Sequence, residues 1–277
     1  MSKLITLKLE QPAVLSDDWL IVPRPVTDWQ SRCVATDFEN IDMLREIEAD
    51  NTRQRAFLVK PVANAIPRIQ YKFADSNDAP DEHIWQLQDS RYTCASDDLA
   101  QQALRLTRDI PGQKLKLNAL IDHTAECFGY AHTDIRFNDG KDEVPTLCGT
   151  TKGSCVDINT YLLAAARSIG LKVQYIAGYW FHPDKTSTRD MHCWLVFECE
   201  GERIFWDVAH HLKWGVEPLA PGLNPAGGRR VPMTVGRRLI FTTPNGNAEI
   251  SHFGEPLWIS SSGELAKPQL EIFIEEH

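Results

Sequence analysis

Residues 151–170 read TKGSCVDINTYLLAAARSIG, and this stretch decides how the rest of the chain is interpreted. The small residues Gly153 and Ser154 come directly before a cysteine, and an apolar segment with helical spacing follows. Gly170 is typical of the position just after the end of a helix. The pattern therefore predicts an apolar helix with Cys155 at its N-terminus.

A thiol at the start of a helix has two interpretations. The unpaired N–H groups and the positive end of the helix dipole stabilise a thiolate, which makes the cysteine a nucleophile near neutral pH. The same N–H groups can hold the oxyanion of a tetrahedral intermediate. Alternatively, Cys155 is a small buried apolar residue, which is the usual role of a free cysteine. This stretch alone favours neither interpretation.

A nucleophilic cysteine needs a base, and the base usually needs an orienting acid. Residues 191–209 read MHCWLVFECEGERIFWDVA, which predicts two strands around a tight turn at 200–201. In that register His192, Trp194 and Asp207 share one sheet face, and His192 and Asp207 form a diagonal pair within reach of each other. A solvated surface pair is the alternative. However, Asp207 interrupts an apolar run where an unpaired carboxylate would be costly, which favours the pairing.

The order of cysteine, histidine and aspartate, on a helix and two later strands, resembles the transglutaminase-like superfamily of papain-type cysteine enzymes. The matching stretches are GSCVDINTYLLAAARSIGLKVQYIAGY, MHCWLVFE and FWDVA, within residues 95–215. The resemblance implies that Cys155 is the nucleophile, His192 the general base and acid, and Asp207 the orienting residue. It also implies acyl-transfer chemistry on amides: hydrolysis, deamidation or transfer to an amine. No cofactor is implied, because a thiolate–imidazolium pair needs none.

The fold that follows is α+β, with a papain/transglutaminase-like core in which the nucleophile helix packs on an antiparallel sheet. Residues 1–90 predict a β-rich domain, similar to the domain that precedes this core in many bacterial members of the family. The catalytic core is expected over residues 91–220. Residues 221–277 predict a C-terminal extension of β-strands that packs on the preceding domains.

Individual segments give more detailed expectations. Amphipathic patterns predict helices over 97–110 and 115–130, before the cysteine helix. In the first domain, only the segment IDMLREIEAD (41–50) has any helical character. Residues 76–90 form a polar connector, and the apolar run RIFWDVA (203–209) predicts a strand.

The composition of the chain limits which binding partners and which cellular compartment are expected. The chain has 277 residues and a formal net charge of -9, so it lacks the basic character that phosphate binding needs. No apolar run approaches the ~20 residues that span a bilayer, and residues 1–12 alternate like a strand instead of resembling a signal peptide. The seven scattered cysteines contain no CxxC pair, which predicts free thiols in a reducing compartment. We therefore expect a cytoplasmic protein that binds neither nucleic acid nor membrane, and the resemblance implies a peptide, protein or amide substrate.

Aromatic residues near the predicted site are candidates for substrate binding. Tyr179 and Trp180 follow a glycine at the end of the strand after the nucleophile helix, and Trp194 shares a face with His192. Together they could form a wall that excludes water from an acyl group, which would favour transfer over hydrolysis. Ordinary aromatic packing in the sheet is an equally good interpretation.

Two further groups of residues carry weaker predictions. His210 and His211, together with His192 and Cys155, would be a candidate metal set, but the usual spacings of metal ligands are missing, so we predict no metal. Cys193 lies on the strand face opposite His192 and is expected in the core.

The predicted function is therefore a cysteine-dependent amide or peptide hydrolase that forms an acyl-enzyme. Two alternatives stay open. One is a transglutaminase-type acyltransferase that uses an amine as acceptor. The other is a catalytically silent interaction module on the same fold.

Overall fold

The computed structural model describes residues 2–10, 18–27, 31–76 and 85–276. The predicted polar connector lies partly on 77–84, outside the described residues. Four helices and eighteen strands are present in the described part of the chain, which makes it an α+β protein with several sheets. None of the helices described has the length and apolar character that crossing a membrane requires.

The helices are α1 (Asp97–Thr107), α2 (Gln113–Cys127), α3 (Cys155–Ser168) and α4 (Val208–Trp214). The strands are β1 (Ser2–Leu9), β2 (Trp19–Pro23), β3 (Ser31–Glu39), β4 (Ile41–Glu48), β5 (Arg55–Pro61), β6 (Arg68–Asp75), β7 (Phe128–Tyr130), β8 (Thr151–Gly153), β9 (Lys172–Phe181), β10 (Ser187–Thr188), β11 (Met191–Cys199), β12 (Glu202–Trp206), β13 (Arg229–Val235), β14 (Leu239–Thr243), β15 (Gly246–Ile250), β16 (Leu257–Ile259), β17 (Leu265–Ala266) and β18 (Leu270–Glu276).

The chain divides into two compact units, which we call unit 1 and unit 2. Unit 1 consists of the described residues within Met1–Gln86, Ala177–Met191 and Gly228–His277. Unit 2 consists of Leu87–Ile176 and His192–Gly227. The N-terminal and C-terminal segments thus share one unit, and the second unit contains the helices.

Unit 1 is built on two five-stranded sheets, with strand orders β10-β18-β1-β6-β3 and β17-β16-β2-β5-β4. The C-terminal strands extend sheets that the N-terminal strands begin: β18 pairs antiparallel with β1, and β16 pairs antiparallel with β2. Alternating side chains of these strands, such as Ile5, Tyr71 and Ile272, are fully buried in one hydrophobic cluster.

The segment 41–50 is a strand and not the helix that its sequence suggested. β4 lies at the edge of its sheet and pairs antiparallel with β5. Asn40, with φ at 59°, turns the chain back between β3 and β4. Pairing along a sheet edge therefore overrides a weak local helical pattern, because strand formation depends on the neighbouring strand more than on intrinsic preference.

Unit 2 is organised around α3. All residues from Cys155 to Ala166 are buried, and the polar ones among them, such as Asp157 and Asn159, are hydrogen-bonded. The helices α1, α2 and α4 pack against it. Its three consecutive alanines, 164–166, have small side chains that allow neighbouring helices to approach closely. Gly170 has φ at 79° and follows the helix end, as predicted.

The hairpin of β11 and β12 has the predicted register. Cys199 faces Glu202, and the ladder continues to Leu195 opposite Trp206. Glu200 and Gly201 have φ of 55° and 78°, which is the geometry of a two-residue turn that matches the twist of the strands.

The predicted strand over 203–209 is wrong in its last three residues. β12 ends at Trp206, and α4 begins at Val208 with Asp207 as its N-cap. The carboxylate of Asp207 accepts the backbone N–H of His210 at 3.1 Å, which starts the helix in place of further strand pairing. Gly215, with φ at 61°, ends it.

Candidate active site

The start of α3 is fixed by a small hydrogen-bond network. Ser154 is the N-cap, and Oδ2 of Asp157 accepts the Ser154 backbone N–H at 2.9 Å and its hydroxyl at 2.8 Å. Nη1 of Arg136 donates to the same carboxylate oxygen at 2.9 Å and to the Ser154 hydroxyl oxygen at 3.1 Å. Asp157 and Arg136 therefore both bond to Ser154 and fix the backbone directly before Cys155.

Gly153 lets the chain enter this helix through a narrow space. A Cβ atom at this position would lie 2.8 Å from Cβ of Asp157 and 2.9 Å from Cδ1 of Phe128, both closer than real side chains allow. Only glycine fits at this crowded position, so Gly153 helps to set where α3 begins.

Cys155 is the first residue of α3 and is only 5% exposed. A hydrogen bond from the thiol of Cys193 contributes most to holding the pKa of Cys155 well below that of an ordinary thiol. The charge of His192 and its hydrogen bond to the sulfur act in the same direction, while burial and the charge of Asp207 oppose them. The balance favours a thiolate on Cys155.

Cys193 is fully buried, as predicted, but it also contacts the candidate nucleophile, which was not predicted. Nδ2 of Asn159 donates to the Cys193 carbonyl oxygen at 3.0 Å and lies 3.5 Å from the Cys193 sulfur. Burial first, and then the hydrogen bond to Cys155, raise the pKa of Cys193 well above that of an ordinary thiol. Of the two neighbouring thiols, Cys155 is therefore the stronger acid.

His192 and Asp207 form the predicted pair. Nε2 of His192 lies 2.8 Å from Oδ2 of Asp207, and both residues are buried. This contact leaves Nδ1 of the ring for the hydrogen bond to Cys155. Burial is the largest single influence and would lower the pKa of His192, but the charges of Asp207 and Cys155 and the hydrogen bonds to them together outweigh it, so the pKa is raised.

A second histidine shares the carboxylate of Asp207. Nδ1 of His210 lies 3.2 Å from Oδ2 of Asp207, and its ring stacks on that of His192 with centroids 3.9 Å apart. One ring nitrogen from each histidine and a carboxylate oxygen all lie within 4.8 Å of one another, so this group is a candidate metal set. The predicted absence of a metal stays a prediction. His211 belongs elsewhere: its Nδ1 and Nε2 lie 2.8 Å and 3.1 Å from backbone carbonyl oxygens of residues 216 and 220.

The three predicted aromatic residues fall in different places. Trp194 is 1% exposed and its ring centroid lies 6.4 Å from that of His192. Tyr179 belongs to unit 1, where it is fully buried in a hydrophobic cluster. Trp180 also belongs to unit 1 and makes an edge contact with His182 at 5.8 Å. A role for the three in substrate binding stays a prediction.

The group at the mouth of α3 has the components of nucleophilic catalysis. A sulfur with a lowered pKa lies against an imidazole with a raised pKa, and this pairing favours a thiolate beside an imidazolium. The first-turn N–H groups that the Ser154 cap does not use have no intrahelical acceptor, so they suit a developing oxyanion. The arrangement can therefore attack a carbonyl carbon and return a proton to a leaving group.

Several residues that support the group were missed in the sequence. Ser154 and Asp157 have the S-x-x-D spacing of a helix cap, so their role was readable. His210 follows Asp207 by three residues, which is the usual spacing between an N-cap side chain and the backbone N–H that it accepts. Arg136 comes from an irregular segment and carries no local signal that would place it there.

Known proteins match the chain in sequence and in fold. Residues 100–206 match the family model of the Transglutaminase-like superfamily. A candidate cysteine protease from Cytophaga hutchinsonii has the same fold: 99% of this chain and 98% of that chain align with a TM-score of 0.52 and 14% identity. The periplasmic domain of TgpA from Pseudomonas aeruginosa aligns over 76% of this chain and 88% of that chain, with a TM-score of 0.41 and 12% identity. Comparison with curated proteins gave no match.

The matched segment contains both Cys155 and His192, and Asp207 is the residue directly after it. The stretches around Cys155 and His192 that resemble this superfamily lie inside the matched segment, and FWDVA (205–209) extends three residues beyond it. Residues 100–206 of this chain are thus similar to the core of the Transglutaminase-like superfamily.

Proposed function

We propose that this chain is a cysteine-dependent amide hydrolase in which Cys155, His192 and Asp207 act as nucleophile, general base and acid, and orienting residue. The observation that carries the proposal is the pair of contacts made by one imidazole. His192 bonds to Asp207 through Nε2 at 2.8 Å and to the Cys155 sulfur through its other side. That chain of three buried groups is the arrangement by which a thiol is activated without a cofactor.

Acylation begins with the thiolate of Cys155. Its sulfur forms a bond to the carbonyl carbon of an amide, and the carbonyl π electrons move to the oxygen, which faces the N-terminal N–H groups of α3. The imidazolium of His192 then donates its Nδ1 proton to the amide nitrogen. The C–N bond breaks, the amine leaves, and a thioester on Cys155 remains.

Deacylation reverses the proton movement. Nδ1 of His192 takes a proton from water as the water oxygen attacks the thioester carbon. The C–S bond breaks, the thiolate is restored and a carboxylic acid is released. Transfer to an amine would follow the same steps with the amine in place of water, but it requires a site that excludes water and holds the amine in line.

Hydrolysis is favoured over transfer because it needs no such site. The aromatic residues proposed to exclude water argue only partly for transfer, since Tyr179 is fully buried in a hydrophobic cluster and Trp194 is 1% exposed. Peptide-type or glutamine-type amides of a protein or peptide are the proposed substrates. A reducing, cytoplasmic location is proposed because all seven cysteines are free thiols.

The experiment that tests the reaction is a partitioning measurement. Purified protein is incubated with a peptide library, with and without a primary amine at millimolar concentration, and the products are identified by mass. Cys155→Ala and His192→Ala are the inactive controls. Free acid as the main product in both conditions supports hydrolysis. Amine adducts as the main product, with only a trace of acid, would replace hydrolysis by transfer.

The catalytically silent alternative is separated by a chemical probe. Iodoacetamide at about pH 6 reacts slowly with ordinary thiols, because an unperturbed cysteine is almost fully protonated there. We expect Cys155 to be alkylated faster than the other six cysteines, as mapped by peptide mass. Labelling of Cys155 at or below the rate of exposed Cys148 would support the silent module instead.

A further inference from the structure

The carboxylate of Asp207 serves two histidines and one helix at the same time. Its Oδ1 accepts the backbone N–H of His210 at 3.1 Å and so caps α4. Its Oδ2 lies 2.8 Å from Nε2 of His192 and 3.2 Å from Nδ1 of His210. His210 therefore touches both oxygens of the group that orients His192, one through its backbone and one through its ring.

His210 also contacts the His192 ring itself. The two imidazoles are stacked, with centroids 3.9 Å apart and planes 23° from parallel. Rotation of a histidine ring about its Cβ–Cγ bond is only weakly restrained by the side chain itself, so neighbours must set the orientation. A hydrogen bond from Nε2 to Asp207 fixes one edge of the ring, but the ring can still tilt about that contact. The stacked His210 ring blocks this tilt on the face that it covers.

Resting on the function proposed above, we propose that His210 is a positioning residue that keeps Nδ1 of His192 directed at the sulfur of Cys155. It acts through two contacts, the second donor on Asp207 and the stacked ring. A neutral imidazole that carries its proton on Nδ1 is sufficient for both. His210 does not need to touch the substrate.

The geometry favours hydrogen bonding over a bound metal ion in this group. Both imidazole nitrogens already point at the same carboxylate oxygen, at distances of 2.8 Å and 3.2 Å that suit N–H donors. All three residues are buried, with exposures of 6%, 0% and 1% for His192, Asp207 and His210. A metal ion held here would occupy the ring nitrogen through which Asp207 orients His192.

Three variants separate the two contacts. His210→Phe keeps a flat ring for stacking and removes the donor to Asp207. His210→Asn keeps a donor near the position of Nδ1 and removes the ring. His210→Ala removes both. The matched control is His211→Ala, which deletes the adjacent buried histidine of α4, whose ring nitrogens lie against backbone carbonyl oxygens at 2.8 Å and 3.1 Å.

The measurement is the second-order rate constant for alkylation of Cys155 by iodoacetamide at about pH 6, where only a thiolate paired with an imidazolium reacts quickly. The rate constant is calculated only for the fraction of protein in which Cys155 can be labelled to completion. The midpoint of thermal unfolding is also measured for each variant. We expect His210→Ala to react about tenfold more slowly, a loss similar to the smallest seen when the hydrogen-bond partner of a metal-bound histidine is removed. The Phe and Asn variants should each lose less. His211→Ala should lower the thermal midpoint and leave the rate constant unchanged.

The possible outcomes are distinct. A His210→Ala protein that reacts at the wild-type rate, or that is slowed no more than His211→Ala, would overturn the positioning role. If the alanine variant does not fold, full wild-type rates in both the Phe and Asn variants would overturn it. Faster alkylation of the wild-type protein after treatment with a chelator would also overturn it, because a metal would then hold the group. Slow alkylation of Cys155 in the wild type would instead count against the proposed function.

Discussion

Asn159, one turn into α3, donates its amide to the carbonyl oxygen of Cys193 on β11 at 3.0 Å and lies 3.5 Å from the sulfur of the same residue. This contact ties the helix that carries the candidate nucleophile to the strand that carries the candidate base. It also fixes the thiol of Cys193 beside Cys155. Cys193 in turn lowers the pKa of Cys155 through a hydrogen bond to its sulfur.

Removing the Cys193 thiol should make Cys155 a weaker acid. The hydrogen bond from Cys193 is the largest contribution that lowers the pKa of Cys155, so Cys193→Ala should raise that pKa and slow iodoacetamide labelling of Cys155 at about pH 6. Cys193→Ser keeps a donor and should lose less. Cys199→Ala, at the buried far end of β11, is the control and should label like the wild type. An unchanged rate of Cys155 labelling in Cys193→Ala would contradict the role of Cys193 as a hydrogen-bond donor to Cys155.

The rate of acylation should depend on pH in a bell-shaped curve. Its acid limb should lie below the pKa of an ordinary thiol, and its alkaline limb above the pKa of an ordinary histidine. The thiolate of Cys155 appears as pH rises through its lowered pKa, so activity should rise at a pH below that of an ordinary thiol. The imidazolium of His192 is lost as pH rises through its raised pKa, so activity should fall above the pH expected for an ordinary histidine. Single-turnover acylation across pH measures both limits. A profile that only begins to rise near the pKa of a free thiol, about 8.5, would contradict this ion pair.

Asp207 should give different results as asparagine and as alanine. Asp207→Asn can still accept the His210 backbone N–H and cap α4, but it removes the charge that supports His192. We expect a folded protein with acylation reduced by about two to four orders of magnitude, as in triad enzymes that lose this carboxylate. Asp207→Ala should in addition lose about 1 kcal/mol of stability with the cap.

Thermal melting and single-turnover kinetics separate the two effects of Asp207. Cys155→Ala is the reference for complete loss of acylation, and residual activity of Asp207→Asn should exceed it. Wild-type acylation in Asp207→Asn would show that the charge is dispensable.

Gly153 should be intolerant of even a methyl group. In Gly153→Ala the new Cβ would meet Asp157 and Phe128 at 2.8 Å and 2.9 Å, which displaces the mouth of α3. We expect a loss of about 1–3 kcal/mol in the free energy of unfolding, typical of overpacking, together with slower labelling of Cys155. Gly129→Ala is the matched control, because Gly129 lies in the neighbouring strand β7 and a Cβ there has no atom within 4 Å. Equal stability of the two variants would contradict the crowding.

The predictable part of the site was the part set by local pattern. The 200–201 turn fixes the register of β11 and β12, and with it the approach of His192 to Asp207. The helix start at Ser154 follows from a capping sequence. Contacts such as those of Arg136 with Asp157, or Cys193 with Cys155, depend on how distant segments pack, and no local spacing encodes them.

The errors in secondary structure have a similar origin. The segment 41–50 has weak helical spacing, and an adjacent strand decided its state. In 203–209 the apolar run continues smoothly, but one carboxylate that accepts a backbone N–H was enough to end the strand and begin α4. Propensity is a weak preference that one cap or one neighbouring strand can reverse.

The double use of Asp207 has a consequence for judging related chains. Because Oδ1 caps α4 while Oδ2 bonds to His192, selection for a stable fold alone would preserve this aspartate even in a chain without the proposed activity. An aspartate at this position therefore says little about whether a relative is an enzyme. Cys155 and His192 are not the N-caps of any of the four described helices, so their replacement in a relative is the more informative sign that the fold is kept without the proposed activity.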